Sequence, residues 1–139
     1  MPRSAITIFS SLVLALVLAL TISTAANAQE DPFGPLRVGV NRGNYSGRCP
    51  VTITYTGNVN IVSYPRGGFI FNYYWTRSDG AKGPVTIVRP NRGQRMVIVN
   101  DSWTLGGAGR HYEVSETLHV NSGNIHLEEA SRSISITCR

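Results

Sequence analysis

The chain has 139 residues, with 13 basic and 8 acidic side chains and a formal net charge of +5 at pH 7. This length suits one ordinary domain with a hydrophobic core. The basic residues are scattered and form no block of like charge, so the charge pattern does not predict specific nucleic-acid binding.

The amino terminus has the three parts of a cleavable secretory signal peptide. Arg3 supplies a positive charge, an apolar run is densest over residues 12–20, and an Ala-Asn-Ala motif follows at residues 26–28. Polar residues dilute the apolar run at both ends, whereas an uncut membrane-spanning helix needs about 20 apolar residues. We therefore expect residues 1–28 to be removed on export, which leaves a secreted protein, periplasmic or extracellular, with no membrane span.

Two cysteines, Cys49 and Cys138, follow the predicted signal peptide. In an oxidising compartment such a pair most simply forms one disulfide. The alternatives are metal ligation and a reactive thiol. The pair lacks the Cys-x-x-Cys spacing that is typical of zinc sites, so the sequence favours the disulfide.

The rest of the chain has the pattern of an all-β domain. Residues 29–35 are polar and proline-bearing, and we expect them to form a flexible leader to a domain over residues 36–139. That domain shows no helical periodicity, and short β-branched and aromatic runs alternate with turn residues. The predicted strands cover residues 36–40, 49–55, 59–63, 69–77, 85–88, 95–105, 112–120 and 134–138, with a turn predicted at residues 56–58. About seven to eight short strands of this kind indicate an antiparallel β-sandwich.

The positions of the cysteines agree with this architecture. Successive side chains of a strand point to opposite faces, so Cys49 lies on the same face as Val51 and Ile53. By the same rule Cys138 shares a face with Ile136. Both sulfurs are therefore expected to point into the core.

Short motifs along the chain resemble those of a known class of domain. The motifs are Cys49-Pro50-x-Thr52-x-Thr54-x-Thr56-Gly57, Tyr73-x-Trp75-x-x-Ser78-Asp79-Gly80-Ala81, Gly93, Trp103-x-Leu105-Gly106 and the terminal Cys138. Together they are similar to immunoglobulin-like β-sandwich domains of secreted bacterial proteins, most of which have no assigned function. The resemblance implies a sandwich and a disulfide, and it implies no catalytic residue. The chain departs from antibody domains at Ile136, where those domains have a tyrosine.

The titratable residues form no recognisable catalytic motif. His111 and His119 fall on the exposed face of one predicted strand, too far apart to share a metal ion at about 3.3 Å per residue. His126 has no evident partner, and Glu128 and Glu129 are expected to point to opposite faces of a strand. Nucleophile and phosphate-binding motifs are absent from the sequence. We therefore expect no catalytic residue, no metal site and no cofactor.

Aromatic and basic residues outside the predicted core are the candidates for ligand contact. These predicted binding residues are Tyr45, Tyr64, Arg66, Tyr74, Arg92 and Arg110. Tyrosine with arginine and glycine is a composition typical of recognition loops. The sequence thus predicts a non-catalytic binding or interaction module that contacts a protein or an extracellular or cell-envelope polymer. The alternatives are an immunoglobulin-like protease inhibitor, a carbohydrate or surface-polymer binder, a structural envelope protein and, last, an enzyme.

Overall fold

The computed structural model describes residues 30–139, so the predicted signal peptide lies outside the described residues. This part of the chain is all-β, with ten strands in three small sheets. No helix in it is long and apolar enough to cross a membrane. The strands are β1 (Arg37–Val40), β2 (Tyr45–Gly47), β3 (Val51–Asn60), β4 (Phe71–Arg77), β5 (Thr86–Val88), β6 (Met96–Leu105), β7 (His111–Val114), β8 (Glu116–Ser122), β9 (Ile125–Ala130) and β10 (Ile134–Cys138).

The strands pair mainly in antiparallel fashion. Sheet I has the order β1-β3-β6, sheet II the order β2-β10-β7, and sheet III the order β5-β4-β8-β9. Among the described strands, β2 and β10 form the one parallel pair. The prediction of an all-β domain is confirmed, but there are more strands than the seven or eight expected. The short β2 and the edge strand β9 carry too few apolar residues to stand out in the sequence.

All three sheets contribute to one hydrophobic core. Alternate residues of β3 are buried while the residues between them are half-buried or exposed, as the period-two pattern predicts. The fully buried apolar side chains include Ile53, Tyr55, Val59, Leu118, Val120 and Ile136. Since these residues come from sheets I, II and III, the core lies between the inner faces of the sheets.

The predicted turn at residues 56–58 is wrong, because β3 continues through it and pairs with β6 along its whole length. Gly57 lies opposite Val99 in this pairing. A Cβ atom added to Gly57 would lie 2.5 Å from Leu118 Cδ2 and 3.0 Å from Val99 Cγ2. Glycine is therefore required here by the close approach of sheet III and does not mark a turn.

The single strand predicted over residues 112–120 is also wrong. It is divided at Ser115 into β7, which pairs with β10 in sheet II, and β8, which lies in sheet III. Ser115 hydrogen-bonds to Ser78 instead, accepting from the Ser78 backbone N–H at 2.9 Å and donating its own N–H to Ser78 Oγ at 3.1 Å. Burial alternates without interruption from Val114 to Glu116, so the sequence pattern contains no sign of the change of sheet.

The end of the predicted flexible leader is packed onto the domain. Phe33 is only 7% exposed, and its ring meets those of Phe69 and Phe71 edge-on at 5.6 and 5.5 Å. The Val62 backbone N–H donates to the Pro32 carbonyl at 2.8 Å. The leader thus supplies an aromatic side chain that the core needs, which the neighbouring proline and glycine residues conceal in the sequence.

The predicted disulfide joins Cys49 to Cys138, whose Cα atoms are 5.4 Å apart. Cys138 is buried at the end of β10, and Cys49 is half-buried just before β3. The bridge thus connects sheet I with sheet II. A disulfide is consistent with an oxidising, extracytoplasmic location.

Replacing Gly57 by alanine is expected to lower the free energy of unfolding by about 1–3 kcal/mol, because the new methyl group overpacks the contact with Leu118. Chemical denaturation measures the change. Gly39→Ala is the matched control, since Gly39 also lies in a strand and its nearest contact is the Thr56 carbonyl oxygen at 4.0 Å. Equal effects of the two substitutions would contradict the packing assigned to Gly57.

Candidate functional site

The six predicted binding residues lie in three separate places. Tyr64 follows the end of β3, whereas the hydroxyl of Tyr45 donates to the Arg48 carbonyl at 2.8 Å, just before β3 begins. A ten-residue strand is about 30 Å long, so these two tyrosines belong to opposite ends of the domain. Tyr74 lies between them on β4, away from both ends.

Tyr64, Arg66 and Arg92 come together in what is here called the Tyr64 cluster. The Tyr64 hydroxyl donates to the Pro90 carbonyl at 2.8 Å, and the ring packs edge-on against Phe69 at 5.5 Å. The Arg92 guanidinium lies 5.9 Å from the Tyr64 ring centre and donates to the Arg66 carbonyl at 3.1 Å. The two loops that join β3 to β4 and β5 to β6 are thus tied to each other.

Tyr64 also separates two surface grooves. One groove of about 190 Å³ has Tyr64 beside Ser63 and Arg95. The other, of about 410 Å³, has Tyr64 beside Phe69 and Arg89. A half-buried aromatic ring with a fixed hydroxyl between two concave surfaces is the kind of anchor that recognition sites use.

The loops of the Tyr64 cluster carry one sign of charge. Residues 61–70 and 89–95 contain no acidic side chain. Their four arginines, all exposed, are Arg66, Arg89, Arg92 and Arg95. Arginine forms two-pronged contacts with carboxylate and phosphate groups, so this surface favours an anionic ligand.

The other predicted binding residues have different surroundings. Tyr45 and Arg110 flank the end of β10 near the disulfide: Tyr45 lies opposite Ile136, and the Arg110 carbonyl accepts from the Cys138 backbone N–H at 2.8 Å. Tyr74 stacks on the His119 ring at a centroid distance of 4.5 Å on the outer face of sheet III. The structure does not bring these three residues together with the Tyr64 cluster.

Arg77, Asp101 and Glu116 form an interior ion cluster that the sequence analysis does not identify. Arg77 Nε donates to Glu116 Oε1 at 3.1 Å and Nη2 donates to Asp101 Oδ2 at 3.2 Å. Arg77 and Glu116 are opposite each other on β4 and β8, while Asp101 belongs to β6 in sheet I. The cluster therefore links the inner faces of sheets I and III. The sequence signal that could have revealed this cluster is the alternation of β8, which places Glu116 on the same face as the buried Leu118 and Val120.

Burial shapes the acid–base behaviour of the interior ion cluster. The Glu116 side chain is fully buried, and its Oε2 atom has no hydrogen-bond partner among residues 30–139. Burial, with a smaller contribution from the Asp101 charge, raises the pKa of Glu116 to about 7, although Arg77 opposes the shift. Burial, followed by the charge of Glu116, likewise raises the pKa of Tyr55 to about 12.

The histidines are not arranged as the sequence analysis predicts. His111 lies on β7 in sheet II and His119 on β8 in sheet III, so they do not share a strand. His126, for which no partner is predicted, lies on β9 beside His119, with the ring centroids 5.8 Å apart. Glu128 and Glu129 are adjacent on β9, and Glu128 pairs with His119 in the register of sheet III. The sequence signal that could have revealed the pairing of β8 with β9 is the turn at Gly123, which has a φ of 57°.

Between about pH 4.5 and pH 7 the folded chain holds a proton on Glu116 that the unfolded chain releases, so this group lowers stability as pH rises through that range. We expect Glu116→Gln to remove a pH-dependent loss on the order of 2 kcal/mol. Denaturation of both proteins at pH 5 and pH 8 measures it. Parallel stability profiles for the two proteins would contradict the shifted pKa.

Comparison of the sequence with protein-family models found no match, and comparison with curated proteins found none either.

Proposed function

We propose that the chain is an exported, non-catalytic binding module that recognises an anionic partner, a protein or a cell-envelope polymer, through the Tyr64 cluster. The single observation that carries this proposal is the position of Tyr64 between two grooves, within loops whose charged residues are all arginines. The signal-peptide pattern and the Cys49–Cys138 disulfide support its export.

The proposal also takes the domain to be an immunoglobulin-like β-sandwich. Two features support this: inner faces of several antiparallel strands that share one core, and a disulfide that spans two sheets. In such a fold the loops at the ends of the strands are held by a rigid scaffold, and loops of this kind commonly carry binding sites.

The contacts within the Tyr64 cluster favour recognition without large rearrangement. Tyr64 is held by Pro90, Phe69 and Arg92, so its ring needs little ordering when a partner binds. Arg66 is exposed, and its guanidinium forms no hydrogen bond or ion pair with the other described residues. It is therefore available for a carboxylate, sulfate or phosphate group of the partner.

Replacing both arginines, Arg66→Ala with Arg92→Ala, is expected to weaken partner capture about tenfold or more. Arginines that become buried when a partner binds are among the residues that contribute most to binding energy. The oxidised, exported protein is immobilised and exposed to lysate and medium from its own source, and the affinity for the captured component is then measured. The capture should also weaken with added salt.

The charge-matched control is Arg48→Ala with Arg139→Ala, which removes two exposed arginines from the opposite, disulfide end. The control is expected to retain capture. Equal loss in both double variants would mean that net charge, and not the Tyr64 cluster, is recognised. A captured protease or a neutral glycan would favour the inhibitor or carbohydrate alternative instead.

A further inference from the structure

We propose that His119, His126 and Glu128 form a binding site for a divalent first-row transition-metal ion such as Zn²⁺ on the outer face of sheet III. This histidine cluster is distinct from the Tyr64 cluster and does not depend on the function proposed for it. It also departs from the sequence prediction of no metal site, because β9, which carries His126 and Glu128, is not apparent in the sequence.

The register of β8 and β9 brings the three side chains together. His119 is opposite Glu128, and His126 is opposite Asn121, so all three residues of the cluster share one face of the hairpin. Their ligand atoms all lie within 4.8 Å of one another. Glu128 Oε2 is 3.4 Å from His119 Nδ1 and 3.6 Å from His126 Nε2.

The neighbours of His126 leave one of its ring nitrogens free to bind a metal. Asn121 Nδ2 donates to Asn72 Oδ1 at 3.2 Å, which fixes Asn121 Oδ1 as an acceptor. His126 Nδ1 is hydrogen-bonded to this Asn121 oxygen and is therefore the donor. The lone pair of the neutral ring is then on Nε2, the atom nearer to Glu128. A ligand histidine whose other nitrogen is held by an amide oxygen is typical of metal sites.

The His119 ring is also held in place by its neighbours. Its ring stacks on Tyr74 with an angle of 7° between the planes, and Nε2 hydrogen-bonds to Thr76 Oγ1 at 2.9 Å. Nδ1 is buried and has no hydrogen-bond partner among the described residues, although Glu128 Oε2 is close. If Nε2–H donates to Thr76, the Nδ1 lone pair faces the Glu128 carboxylate, and a cation between them would be bound by both groups.

Two imidazole nitrogens and one carboxylate oxygen match the ligands that Zn²⁺ takes in sites with an open position, with metal–ligand distances of about 2.0–2.2 Å. Glu128 and His126 are 61% and 51% exposed, so both can shift towards an ion and the remaining positions face water. Lys82 opposes a bound cation, with Nζ 4.1 Å from the Tyr74 ring centre, whereas the Glu128 charge favours one.

The chain contains a matched control for this site. His111 and Glu113 lie 3.1 Å apart on β7, and both are more than half exposed. They form a histidine–carboxylate pair without the second histidine that the histidine cluster has.

Isothermal titration of Zn²⁺ into the oxidised, exported chain, without a polyhistidine tag and after removal of metal by a chelator, tests the proposal. We expect one ion per chain, with affinity reduced about tenfold or more in His126→Ala and in Glu128→Gln and unchanged in His111→Ala. Both replaced side chains are exposed on an edge strand, so the metal-free variants should keep the wild-type unfolding midpoint. Zn²⁺ should raise that midpoint equally in the wild type and in His111→Ala, and less in His126→Ala and in Glu128→Gln.

No saturable binding to the wild-type chain would overturn the proposal, as would binding that survives both His126→Ala and Glu128→Gln. A loss in His111→Ala as large as that in His126→Ala would also overturn it, because it would show diffuse binding to surface histidines.

Discussion

Leu118 of β8 fills the space that Gly57 leaves open on β3, and this contact fixes the register of β8. Side chains alternate along a strand, so a shift of one residue would turn Leu118 to the solvent and bury His119. The same register sets Glu116 opposite Arg77 and His119 opposite Glu128. On one face, β8 thus contributes Leu118 to the core and Glu116 to the interior ion cluster. On the other face it contributes His119 to the histidine cluster.

The interior ion cluster adds to the energetic preference for this register of β8 over other registers. Burying the Glu116 carboxylate is unfavourable, and Arg77, which also pairs with Asp101, offsets that cost only when sheets I and III are correctly placed. The two outer sites then depend on the scaffold in different ways. The Tyr64 cluster joins two loops at the end of the sheets, whereas the histidine cluster is built on paired strands, whose positions the hydrogen-bond ladder fixes.

The sequence reveals those features that depend on local alternation. The period-two pattern predicts most strands and their inward faces, because a strand shows its buried side in its own residues, and the single pair of cysteines predicts the disulfide. Gly57 is misread as a turn residue because the side chain that requires a glycine at this position, Leu118, is distant in sequence. The change of sheet at Ser115 leaves no trace in the alternation. The composition of the loops predicts Tyr64, Arg66 and Arg92 as binding candidates, whereas the histidine cluster depends on the pairing of β8 with a strand that carries few apolar residues.

Nitrogen-15 NMR of the histidine rings at pH 8, in metal-free protein, tests the register of β8 most directly. We expect His126 to carry its proton on Nδ1, facing Asn121, and His119 to be held in one tautomer between Thr76 at Nε2 and Glu128 at Nδ1. Each ring should keep a single tautomer as a fixed state. If both rings instead gave the averaged signals of histidines in the unfolded chain, the assigned register and the clusters built on it would be wrong.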